Sequence, residues 1–227
     1  LGARDVQVMG NLKFDVTPPA AQIGLGRDLR ERFGRDRPVW LAASTREGEE
    51  AIVLDALAAM PDSRALLVIV PRHPQRFEEV AKLVDARGFR VQRRSENTAV
   101  ASSTQVLLGD SMGEMFGYFG AADVAFVGGS LVPTGGQNLI EACAIGTPVL
   151  IGPHTFNFAD ATDEAVRAGA ALRVADAAGL ARAVAHLLAD PAARAAMGEA
   201  GTAFATQHRG ATERALSLLE ETLPRSR

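Results

Sequence analysis

Short apolar runs recur along the chain, each closed by small, polar or charged residues. Val39 to Ala43, Leu66 to Val70, Gln105 to Leu108 and Val124 to Val127 read as β-strands. The second and fourth are continuous apolar runs bounded by Pro or Gly, the pattern of a strand buried on both faces. Longer stretches of helical character separate them: about Glu47 to Met60, about Phe77 to Arg87, Gly113 to Phe119 and Gln137 to Ile145. Short strands at Phe89 to Gln92 and Pro148 to Ile151 complete the series. Strands alternating with helices imply a parallel sheet joined by right-handed crossovers, a Rossmann-like α/β fold with helices on both faces.

The two ends depart from this alternation. Pro18-Pro19 with Gly24 and Gly26 reads as a linker-like loop after an opening segment that includes Val6 to Gly10 and Asn11 to Asp15. From Ala159 onward Ala-rich helices dominate, one of them ending before Asp190-Pro191, where Asp can cap the next helix and Pro can occupy its first turn. No internal repeat or low-complexity tract stands out, and residues 1–227 are expected to form a single domain.

Composition narrows the partners. The chain has 227 residues, 47% of them hydrophobic, enough for a packed core. Its net charge of -3 comes from 24 basic and 27 acidic residues without a polybasic block, which argues against a nucleic-acid partner. One cysteine, Cys143, excludes an internal disulfide framework, and its neighbours Ala142 and Ala144 suggest a small packed side chain. No apolar stretch approaches the roughly 18 to 20 residues that span a bilayer. The first residues, Leu1-Gly2-Ala3-Arg4-Asp5, include neither an initiator Met nor a signal-peptide pattern, so a fragment of a longer protein is expected.

Candidate chemistry lies after the strands. In an open parallel sheet, ligands bind outside the carboxyl ends of the strands, so loops far apart in sequence converge there. Four such loops carry suitable residues: Ser44 to Glu50, Pro71-Arg72-His73-Pro74, Asp110 to Glu114 and Gly128 to Asn138. Gly135-Gly136-Gln137-Asn138 precedes a helix whose unpaired N–H groups would favour a phosphate. The same residues also fit a plain glycine turn in which Asn138 caps the helix. Glu141, one turn further along, could accept hydrogen bonds from a ribose diol, or be a solvated charge. Arg72, between prolines, could hold a phosphate bidentately, or mark a rigid surface turn. His73 fits a turn residue as well as a ligand contact. Ser44 to Glu47 fits a capping box, with Ser44 as N-cap and Glu47 at N3. Gly113 and Glu114 would open a helix, Met112 or Met115 could form an apolar shelf under a base, and core packing suits Met115 better.

Absences matter as well. The sequence lacks a Gly-x-Gly-x-x-Gly fingerprint, a Walker A lysine, a cysteine cluster, a His pair at ligand spacing and an Asp-x-Asp element, so neither a metal nor a cofactor is expected.

Taken in order, Gly10-Asn11-Leu12-Lys13-Phe14-Asp15, Pro71-Arg72-His73-Pro74, Gly109 to Glu114, Phe126 to Ser130 and Gly135 to Glu141 resemble the 3-deoxy-D-manno-octulosonic acid (Kdo) transferases of lipopolysaccharide synthesis. The resemblance implies the C-terminal half of a GT-B glycosyltransferase, with CMP-Kdo as donor, a lipid A precursor (lipid IVA) as acceptor and no metal. By similarity Arg72, Met112, Asn138 and Glu141 would contact CMP, while Ser44, Gly113, Gly135 and Gly136 shape the site; Pro71, His73, Glu114 and Gln137 complete the implied binding set. Many relatives carry His at the position of Gln137. The acceptor domain, the catalytic base and the membrane-associating segment would precede Leu1, so no catalytic residue is expected in this chain. The whole protein would work at the cytoplasmic face of the bacterial inner membrane, and this piece would be soluble. A UDP-sugar transferase or epimerase of the same fold, and a non-catalytic nucleotide-binding or protein-interaction module, are the alternatives.

Overall fold

The computed structural model describes residues 7, 9–60 and 64–222. Leu1 to Val6 and Val8, which belong to the opening segment, lie outside the described residues. Strands β1 (Val39–Thr45), β2 (Leu66–Pro71), β3 (Val91–Arg93), β4 (Val106–Leu108), β5 (Val124–Val127), β6 (Val149–Ile151) and β7 (Ala171–Arg173) form one sheet in the order β3-β4-β2-β1-β5-β6-β7. Every neighbouring pair is parallel. The chain leaves β1 toward β2 and later returns to its other side as β5. The carboxyl ends of β1 and β5 therefore flank the topological switch point, where a crevice opens.

Period-two alternation along the central strands sends side chains to two cores. Val39, Leu41, Ala43, Leu66, Val68 and Val70 face one side, where they meet helices α1 (Ala20–Phe33), α4 (Met115–Ala121) and α5 (Ile140–Ile145). Trp40, Ala42, Leu67 and Ile69 face the other, under α2 (Glu49–Ala58), α3 (Phe77–Ala86) and α7 (Ala177–Ala189). Both strand faces are buried, as the uninterrupted apolar runs predict. Helices α6 (Ala159–Arg167), α8 (Pro191–Gln207) and α9 (Ala211–Thr222) complete the chain, and Asp190 caps α8 by accepting the Ala193 N–H at 2.9 Å.

Three expectations need correction. The segment after Pro18-Pro19 is not a linker but α1, in which Leu25, Leu29 and Phe33 recur at helical spacing. Gly26 is there for close approach rather than for a turn, since a Cβ on it would stand 3.2 Å from the Gly117 carbonyl oxygen of α4. The C-terminal region is not wholly helical, because β7 adds an edge strand to the sheet. Finally, helices start later than the pattern suggests: α2 at Glu49, α4 at Met115 and α5 at Ile140. The residues in between form loops at the strand ends.

The opening segment docks against the end of the chain. Phe14 packs edge-on against Phe204, with ring centroids 5.3 Å apart, and lies 4.7 Å from the His208 ring. Asp15 accepts the N–H groups of Gly210 and Thr212 at 2.6 and 2.5 Å. The Thr212 hydroxyl first, and then these two N–H bonds, hold its carboxyl down at about 2.

Candidate nucleotide site at the carboxyl edge

The loops after β1, β2, β4 and β5 meet around a cavity of about 260 Å³. Ser44, Pro71, Arg72, Met112, Gly113, Glu114, Gln137, Asn138 and Glu141, all expected from the sequence, line it. His73, Gly135 and Gly136 do not. Two wider depressions, of about 610 and 600 Å³, lie near the amino ends of the strands around Pro38 and Ala65. Position relative to the strand ends, rather than volume, separates the candidate site from them.

The first wall begins at Ser44, where β1 ends in a bulge. The register between β1 and β2 shifts between Ala43 and Thr45, and Ser44 adopts left-handed backbone with φ 55°. No capping box forms. The α2 N-cap is Gly48, also left-handed, with no side-chain cap bond. Ser44 is consumed by the bulge, so Glu47 has no N-cap to answer.

The second wall is fixed to the first. The Arg72 N–H donates to the Thr45 carbonyl at 3.0 Å, leaving the exposed Arg72 side chain at the cavity. His73 turns away, its Nε2 accepting from Arg46 Nη1 at 2.5 Å. It links the two loops outside the cavity.

The third wall carries Met112, a residue 60% exposed and free to cover an apolar ring. Behind it, Glu114 accepts from Arg94 at 3.1 Å and from the Ser111 hydroxyl at 2.6 Å. Ser111 also shares a 2.7 Å hydrogen bond with the Tyr118 hydroxyl. Burial pushes the Tyr118 phenol far above its usual range, so it stays neutral. Met115 packs against the core. Asp110 faces Ser95, accepting its N–H and hydroxyl at 2.8 and 2.6 Å.

At the fourth wall the glycine loop is braced by bonds within the protein. The Gly136 N–H donates to the Gly129 carbonyl at 2.7 Å and the Gln137 N–H to the Gly128 carbonyl at 3.0 Å. Asn138 accepts the Ile140 N–H at 3.0 Å through Oδ1 and donates through Nδ2 to Glu141 at 3.1 Å. Those three amides are bonded within the protein, and Arg72 is the basic side chain that lines the cavity. Glu141 is not a freely solvated charge. Burial raises its carboxyl above the usual range, against the opposing pull of the Asn138 bond and the Arg72 charge.

Beneath these walls lie two residues whose roles the sequence did not reveal. Glu49 and Glu50 are fully buried at the start of α2. Glu49 accepts the N–H groups of Gly129, Ser130 and Leu131 at 2.6, 3.0 and 2.9 Å, and that of Arg46 at 3.2 Å. Burial pushes its carboxyl up while those four donors pull it down, and burial prevails. Glu50 Oε1 accepts from the Thr45 hydroxyl at 2.7 Å and from Arg76 at 2.6 Å. Acidic residues in a first turn ordinarily read as dipole complements on the surface. Only the apolar run Ala51 to Leu54 directly after them hints at burial.

Comparison with known proteins gives the family. The pattern of the family "Glycosyl transferases group 1" matches residues 52–204. The chain is 50% identical to 3-deoxy-D-manno-octulosonic acid transferase of Bordetella pertussis, covering 98% of this chain and 53% of that protein. It is 42% identical to the enzyme of the same name from Haemophilus influenzae, covering 97% and 52% respectively. The chain thus spans about half the length of these curated relatives. Among solved structures, the C-terminal CMP-Kdo binding domain of WaaA from Acinetobacter baumannii superposes with a TM-score of 0.78 at 34% identity, covering 82% of this chain and 98% of that one. The chain belongs to the group 1 glycosyl transferase family and is similar to its Kdo transferase members.

Proposed function

We propose that this chain is the donor half of a Kdo transferase: it binds CMP-Kdo at the carboxyl edge of its sheet. There it stabilises the departing CMP while the sugar passes to a lipid A precursor. The observation that carries this reading is the convergence of Arg72, Met112, Asn138 and Glu141 on one cavity at the switch point, in a chain so similar to a domain that binds CMP-Kdo.

Each group has a distinct task in this reading. The Arg72 guanidinium holds the phosphate, the leaving group whose charge grows as the glycosidic bond breaks. Met112 covers one face of the base. Glu141, oriented by Asn138, accepts the ribose hydroxyls. Arg72 takes the electrostatic part that a metal plays elsewhere, so transfer is metal-independent, and a single displacement by the acceptor hydroxyl makes it inverting. Gln137 lies beside Asn138 at the same wall. A cavity of about 260 Å³ falls below the ~300–1,000 Å³ of closed small-molecule pockets, as suits one side of a cleft.

The acceptor site, the general base and the contact with the inner membrane are assigned to the remaining half of the relatives' length. Near-attack geometry needs donor, acceptor and base together. Among the described residues, no helix is long and apolar enough to cross a membrane.

Calorimetric titration of the chain with CMP, UMP and UDP tests this reading. CMP should bind more tightly than UMP, and UDP should gain little over UMP because one arginine serves one phosphate. Tighter binding of UDP than of CMP would favour a UDP-sugar enzyme, and no binding of any nucleotide would overturn the assignment.

A further inference from the structure

Two consecutive buried carboxylates sit directly under the candidate site, yet neither lines the cavity. Consecutive residues of a helix point about 100° apart, so Glu49 and Glu50 reach different loops from one place. Glu49 grips the three successive N–H groups of Gly129, Ser130 and Leu131. The carbonyls of Gly128 and Gly129 then hold the Gln137 and Gly136 N–H groups, and so place Gln137 and Asn138 at the cavity. Glu50 pulls the other way. Its partner Arg76 closes the turn after Pro71-Arg72-His73, and the Arg76 N–H donates to the His73 carbonyl at 3.0 Å. The second oxygen of Glu50 is buried without a hydrogen-bond partner. A carboxylate left half-satisfied in the interior is costly. Thr45 and Arg76 offset only part of that cost.

We propose that the tandem Glu49–Glu50 pair is a positioning device that sets the spacing between two walls of the nucleotide site. Glu49 fixes the wall carrying Asn138 and Glu141, and Glu50, through Arg76, fixes the wall carrying Arg72. The inference rests on the nucleotide reading above. Neither residue touches the ligand; each acts through a loop. Glutamine has the same shape but the wrong chemistry at either position. At 49 an NH2 group would face backbone N–H donors, and at 50 the ion pair with Arg76 would be lost.

Double-mutant cycles on CMP affinity test the assignment. Glu49→Gln and Glu50→Gln should each weaken CMP about 10-fold, the scale of one misplaced charged contact. Glu50→Gln combined with Arg72→Ala should cost little more than Arg72→Ala alone, whereas combined with Asn138→Ala it should be additive. Glu49→Gln should show the opposite pairing. Additivity in all four combinations, or equal coupling in all four as from a general loosening of the fold, would overturn the proposal. Should the Glu49→Gln chain fail to fold, the two Glu50 cycles decide, and additivity with Arg72→Ala overturns it. An unaltered chain that binds no CMP would instead refute the nucleotide reading itself.

Discussion

Replacing Arg72 by alanine isolates the phosphate contact from the fold. The Arg72 backbone N–H bond to Thr45 survives the change, and the side chain is exposed. Loss of folding stability should therefore stay within about 0.5 kcal/mol, as for a surface substitution. Binding should suffer far more. A hydrogen bond to a charged group contributes ~1.5–3 kcal/mol, which corresponds to roughly 10- to 150-fold in the CMP dissociation constant. A second effect adds to this one. The Arg72 charge lowers the Glu141 pKa, so its removal leaves that carboxyl more readily protonated and less able to accept from the ribose. Arg72→Lys keeps the charge but not the planar fork, and should fall between the two. Calorimetry measures affinity, and thermal unfolding of the free proteins measures stability. Equal affinity in Arg72→Ala and the unaltered chain would refute the phosphate role; a large drop in melting temperature would show that the side chain supports the loop instead.

Cytidine, which lacks a phosphate, should bind more weakly as pH falls, with a midpoint above the ordinary 4.5 because burial raises Glu141; Glu141→Gln should weaken cytidine and abolish that component of the pH profile. Asp15 works in the opposite direction. Its folded value of about 2 lies below the ordinary 3.8, so it stabilises the docked ends fully above about 3.8 and loses that effect as pH falls toward 2. Protection of the Thr212 amide against exchange, relative to its intrinsic rate at each pH, should fall over this range in the unaltered chain, and should already be low at pH 5 in Asp15→Ala. Gly128→Ala would place a Cβ 2.7 Å from the Ser44 carbonyl oxygen and 2.8 Å from that of Ala43, an overlap that should cost about 1–3 kcal/mol of stability in chemical denaturation.

Much of the architecture was legible because its cause is local. Leu66 to Val70 and Val124 to Val127 are apolar throughout, since both faces of a central parallel strand are covered, and β2 and β5 fall where that pattern lies. Gly26 of α1 misled because glycine marks a turn and a close helix contact alike, and only the partner helix distinguishes the two. β7 escaped notice because two of its three residues are exposed at a sheet edge. At the site, Arg72, Asn138 and Glu141 were legible from their place after strands. The burial of Glu49 and Glu50 was not, since it depends on backbone N–H groups of Gly129 to Leu131, some 80 positions away in the chain, and on Arg76. Likewise the amides of Gly136 and Gln137 looked free until the fold brought the Gly128 and Gly129 carbonyls to them.

The central claim, that four separated loops build one nucleotide site, is tested most directly by assigning the backbone amides and titrating the chain with CMP. Shifts should concentrate in four segments, at Ser44 to Arg46, Arg72, Met112 to Glu114 and Gln137 to Glu141, and follow one binding curve. Shifts centred instead on the depressions around Pro38 and Ala65 at the opposite edge of the sheet, or confined to one loop, would contradict it.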